Sequence, residues 1–72
     1  MADDDLLTIA EIAPVVGLTV KSTRVYHERA TRKRREGEET TEKDMPAPDV
    51  RLGRTPAWKR STIADWKAAR EA

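Results

Sequence analysis

Fourteen of the 72 residues are Lys or Arg, and their placement is the first chemical fact about this chain. Residues 19–36 hold seven bases and two acids, net +5. Residues 45–60 hold four bases and one acid, net +3. Residues 1–18 and 37–44 are acidic, at net −4 and −3, so two basic blocks stand apart with an acidic block between them. Guanidinium and ammonium groups clustered in this way bind phosphate, and arginine does so with a two-pronged fork. The chain has no cysteine and one histidine, His27, which excludes a thiolate metal site and a nucleophile–histidine pair of the cysteine type. Thr8 and Glu11 have the spacing of a helix cap, not of an acid–base pair. The residues therefore point to binding rather than to an enzyme, with no metal and no cofactor expected.

Size sets the next bound. A chain of this length buries only about 60% of the surface its unfolded form exposes, so it makes one domain with a small core. No apolar run approaches the ~20 residues of a membrane span. The start, Met1 to Asp5, is acidic where a secretory signal needs positive charge followed by an apolar stretch. A cytoplasmic, membrane-free protein is the expectation.

The elements that must carry the basic blocks follow from caps and periodicity. Residues 1–5 are expected to be disordered. A helix opens at Thr8, with Leu7 and Ile12 flanking the cap and Ile9, Ile12, Ala13 and Val16 at i, i+3, i+4 and i+7. Pro14 lies past the first turn and should kink or shorten this helix, which Gly17 ends. Thr19 caps a second helix from Val20, with Thr23, Tyr26, His27 and Ala30 on one face. No stop signal precedes Gly37, so Thr31 to Glu36 can continue it. Residues 37–44 lack any apolar side chain and are expected to form a mobile loop. Pro46 and Pro48 fix an extended entry. Val50 and Leu52 alternate with Arg51 as a strand, Gly53 to Pro56 turn the chain, and Ala57 to Arg60 return. Ser61 caps a last helix. The expected core is Leu7, Ile9, Ile12, Val16, Leu18, Tyr26, Leu52, Trp58, Ile63 and Trp66.

Helix, four-residue turn, helix, then a basic hairpin leading into a third helix is a definite pattern. Leu6-Leu7, the Thr8 to Glu11 cap, the Gly17-Leu18-Thr19 turn, Ser22-Thr23-Arg24-Val25-Tyr26, Pro46-Ala47-Pro48-Asp49, Arg51 to Pro56, Trp58, and Ser61 to Trp66 together resemble the MerR-like excisionase family of small phage and actinobacterial proteins. The resemblance covers residues 6–30 and 45–70. It implies a mostly α fold with a small β-hairpin, a winged helix-turn-helix of three helices plus wing, spanning residues 6–70. Residues 31–44 are extra relative to the family, an extended recognition helix and loop insertion.

The resemblance also implies double-stranded DNA as the partner, in a bacterial cytoplasm. The function expected is that of an excisionase, which binds and bends DNA cooperatively to direct an integrase or other recombinase. The alternatives are a small transcription regulator using the same surface, and a protein–protein adaptor docking an integrase or polymerase subunit. On the recognition helix, Lys21 and Arg24 can reach guanine acceptors and Ser22 a base or phosphate, with Val25 and Glu28 on the same helix. Glu28 either accepts from cytosine or pairs with Arg24 or Arg32 at i±4. Thr19, Arg29, Arg32, Lys33, Arg34 and Arg35 are the expected contacts to the DNA backbone. On the wing the expected contacts are Arg51, Arg54, Thr55 and Lys59, with Arg51 and Lys59 on one face.

Overall fold

The computed structural model describes residues 5–71. The order of elements is β1 (Leu6–Leu7), α1 (Ile9–Val15), α2 (Val20–Arg35), β2 (Val50–Leu52), β3 (Thr55–Lys59) and α3 (Arg60–Glu71). Three helices surround a small antiparallel sheet of order β1-β3-β2, a mixed α/β arrangement compatible with a winged helix.

The caps act where local chemistry demands them. The Glu11 carboxylate accepts the Thr8 N–H at 2.9 Å and the Thr8 hydroxyl at 3.2 Å. Thr19 Oγ1 accepts the Ser22 N–H at 3.0 Å, which starts α2. Helix α1 is only seven residues long, with Pro14 accommodated inside it. Gly17 then reverses the chain at φ +74°, and the Leu18 N–H returns to the Ala13 carbonyl at 2.9 Å. That 6→1 bond is the Schellman closure. The extension of α2 also forms: sixteen residues, about 24 Å at 1.5 Å each, closed by Gly37 at φ +76°.

Four expectations about backbone need correction. Residues 1–4 lie outside the described range, but Asp5 is fixed, not free: its carbonyl accepts the Arg60 N–H at 3.0 Å, and its carboxylate lies 3.8 Å from the Arg60 guanidinium. The Leu6–Leu7 strand was not expected at all; Leu6 pairs with Lys59 and Leu7 with Trp58. The hairpin loop is only Gly53-Arg54, because Leu52 already pairs with Thr55 and Arg51 with Pro56. Gly53, at φ +66°, takes the first loop position, where a two-residue type II′ turn needs glycine. Finally, α3 begins at Arg60, so Ser61 lies inside its first turn instead of before it.

The core forms around the two tryptophans. Leu7, Ile12, Ala30, Met45, Trp58, Ile63 and Trp66 are buried together, with Ile9, Val16, Leu18 and Tyr26 packed against them. Leu52 is 54% exposed, contrary to expectation. Leu52 pairs with Thr55 at the loop end of the hairpin, beside Gly53 and Arg54, and all four are exposed. Along the hairpin, Pro56 and its partner Arg51 share the Trp58 side, while Leu52 and Thr55 lie on the other side. Met45 is fully buried and was missed.

The acidic block is not a free loop along its whole length. Its C-terminal part is tied into the fold. The Lys43 carbonyl accepts the Trp66 indole N–H at 3.0 Å. The Asp44 carboxylate accepts the Thr41 N–H at 2.9 Å and binds Lys33 Nζ at 3.1 and 3.2 Å. The Thr41 N–H foremost, together with Lys33, holds the Asp44 carboxyl below its ordinary pKa against the opposing effect of burial. The Met45 carbonyl accepts Arg34 at 3.2 Å, and the Pro46 carbonyl accepts the Trp58 indole at 2.8 Å. A buried indole N–H needs an acceptor. Here the end of the acidic block and the chain just after it supply both.

Candidate nucleic-acid interface

Helix α2 has two chemically distinct sides. Thr23 and Ala30 are buried, and Tyr26 and His27 half-buried, which fixes the inward line. Thr23 satisfies its own hydroxyl by donating to the Thr19 carbonyl at 2.8 Å. At about 100° per residue, Lys21 and Arg32 fall within ~10° of the opposite, outward line, and Val25 and Glu28 within ~30° of it on either side. Arg35 stands further off, and Arg24 and Arg29 further still. All seven are exposed.

The expected backbone contacts therefore divide. Arg29, Arg32 and Arg35 are exposed, and among the described residues no ion pair engages them. Lys33 and Arg34 point toward the inner side and hold Asp44 and the Met45 carbonyl. They are scaffold residues in this structure. The signal was available in the sequence, since 33 and 34 follow Ala30 at i+3 and i+4. The Thr19 hydroxyl oxygen serves as the α2 cap, and Ser22 beside it is exposed.

Glu28 makes no ion pair either, although Arg24 and Arg32 stand at i−4 and i+4 on the same helix. The expected i±4 pairing is absent among the described residues. Val25, Glu28, Arg29, Arg32 and Arg35 instead line a shallow depression of about 300 Å³.

The hairpin carries the second basic block, and its base is tied to α2. The His27 ring meets Trp58 edge-on, with ring centres 5.2 Å apart at 87°. Burial first, then the charges of Arg34 and Arg51, push the His27 pKa below its ordinary value against the opposing pull of Glu28. By the strand register Arg51 shares the Trp58 side of the hairpin, the side that meets His27 on α2. Lys59 belongs to the opposite face, because it alternates with Trp58 along β3. The two do not share a face, which corrects that expectation. Asp49 closes the open end of the hairpin: its carboxylate accepts the Lys59 N–H at 2.8 Å and its own N–H reaches the Ala57 carbonyl at 3.0 Å. Arg54 occupies the loop and Thr55 the first position of β3, both exposed.

Charged groups elsewhere serve the fold. Arg70 stacks over Tyr26 and Trp66, 5.1 and 5.3 Å from the ring centres, and Tyr26 meets Trp66 edge-on at 5.9 Å. Among the described residues no group of His, Cys, Asp or Glu is arranged to hold a metal ion. No described helix is long and apolar enough to cross a membrane.

What the arrangement can do is bind a polyanion. The outward face of α2 presents Lys21, Arg24, Arg29, Arg32 and Arg35 along one rod, with a basic hairpin fixed beside its inner side. Comparison with known proteins gives no matching family model, curated relative or solved structure.

Proposed function

We propose that this chain is a sequence-specific double-stranded DNA-binding protein of the winged helix-turn-helix kind. Helix α2 enters the major groove and the β2–β3 hairpin acts as the wing. The observation that carries this reading is the division of cations on α2. Lys33 and Arg34 are used by the fold, while Lys21, Arg24, Arg29, Arg32 and Arg35 are exposed and, among the described residues, without carboxylate partners. Unpaired like charges along one helix repel each other, and a phosphate backbone relieves that repulsion.

The residues divide by position. Lys21, Ser22, Arg24, Val25 and Glu28, in the first half of α2, face base edges. Arg29, Arg32 and Arg35 bind phosphate as the helix runs on. Arg54 and Thr55 at the hairpin tip, with Arg51 and Lys59 on its two faces, touch the flanking backbone or minor groove. The protein performs no chemistry. Its role as an excisionase, acting in several copies to bend DNA for a recombinase, rests on the motifs resembling that family. A small regulator of transcription would use the same surface on a promoter.

A salt titration tests the reading. Each phosphate neutralised contributes about −0.9 to the slope of log K against log salt on duplex DNA. Four to six contacts give a slope of roughly −4 to −5. Affinity that stays flat as salt rises contradicts DNA binding and favours the adaptor role.

A further inference from the structure

Resting on that reading, we infer that Lys21, Val25 and Glu28 read a guanine, a thymine and a cytosine, so that the target carries a guanine and a cytosine about three base-pair steps apart with a thymine between them.

The argument begins with the position of Glu28. A carboxylate on a phosphate-binding face is repelled wherever phosphate lies, and here it is not neutralised by Arg24 or Arg32. Over the first half of a helix lying in the major groove, the outward line faces the base edges and the flanks face the two phosphate strands; further on the straight helix leaves the curved groove, so that Arg32, on the same line, meets phosphate. Glu28 lies near that line, within about 20° of Lys21 around the helix. It is therefore placed where donors are, not where phosphates are. The major-groove donors are the amino groups of cytosine and adenine, and a carboxylate, which only accepts, pairs with cytosine N4.

Lys21 and Glu28 are seven residues apart, about 10.5 Å along the axis. Base pairs rise about 3.4 Å, so the two side chains meet edges roughly three steps apart. Lys21 donates to guanine O6 and N7. Val25 lies between them. It is 38% exposed, an apolar side chain standing in the middle of a cationic face. The thymine methyl is the apolar feature of the major groove, and it is what Val25 fits. Lys21, Arg24, Val25 and Glu28 thus form the i, i+3, i+4, i+7 set of one helix face.

The test is selection from a randomised duplex library, read by sequencing, with the wild-type protein and with Glu28→Gln and Val25→Ser. Wild type is expected to enrich a site with the guanine and cytosine at that spacing. Glutamine pairs with adenine, so Glu28→Gln should change the selected cytosine to adenine by about fivefold or more and leave the guanine in place. Val25→Ser should lose the thymine preference alone. Both residues are exposed, and melting curves of the variants should match wild type. If wild type and Glu28→Gln select the same base at every position, the assignment of Glu28 is overturned while DNA binding stands. If Val25→Ser retains the thymine, the assignment of Val25 is overturned. If the wild-type protein enriches no duplex, the DNA-binding reading itself fails and the inference with it.

Discussion

Trp66→Ala is expected to leave the domain unfolded at 25 °C. Trp66 is 2% exposed in the core cluster. Three further interactions depend on it: the indole bond to the Lys43 carbonyl, the edge contact with Tyr26, and the stacked Arg70 guanidinium. Truncating a buried Trp costs about 3–5 kcal/mol in transfer and cavity terms. A domain of this size holds roughly 4–11 kcal/mol in all. The lost contacts of Tyr26, Arg70 and the acidic block add to the deficit. Trp66→Phe separates burial from the hydrogen bond. It should stay folded and melt several degrees lower, because it keeps the ring and loses the tie to Lys43. Circular dichroism melts of both variants check this; a folded Trp66→Ala with a near-native melt would show that the tryptophan does not organise the core.

The second large effect concerns binding. Replacing Arg29, Arg32 and Arg35 together by alanine should lower DNA affinity on the order of a thousandfold near 50 mM salt and make the salt slope shallower by about 3. The loss should be uniform across sequences, because phosphate contacts carry no sequence information. Stability should hardly change, since all three are exposed and among the described residues none is ion-paired. Lys33→Ala and Arg34→Ala should do the reverse. They release Asp44 and the Met45 carbonyl, so they lower the melting temperature more than they change the salt slope.

The contrast between these two sets shows which parts of the protein its sequence reveals. The Thr8–Glu11 and Thr19–Ser22 caps were legible because each joins groups three residues apart. The hairpin was legible because Val50, Arg51 and Leu52 alternate and glycine marks the turn. Alternation finds a strand but does not say how far burial reaches along it, and Leu52 lies at the exposed loop end. The Leu6–Leu7 strand was hidden for a different reason. Two residues carry no periodicity, and their partners, Trp58 and Lys59, lie far along the chain. The tie between the acidic block and the core was hidden more deeply, since its acceptors are the carbonyls of Lys43, Met45 and Pro46. Any residue supplies a carbonyl, so no side-chain pattern announces one. Within the basic block the helical angle alone separates Arg29, Arg32 and Arg35 from Lys33 and Arg34. Read as a run of charge, the block conceals that division.

The outward face of α2 and the tip of the hairpin together are proposed to form one DNA-binding surface. Amide chemical-shift mapping of the protein during titration with a duplex enriched by library selection tests it most directly. Shifts are expected at Lys21, Arg24, Val25, Glu28, Arg29, Arg32 and Arg35 and at Arg54 and Thr55, with α3 residues such as Asp65 and Lys67 unmoved. Shifts confined to α3, or an unchanged spectrum at saturating duplex, would contradict it.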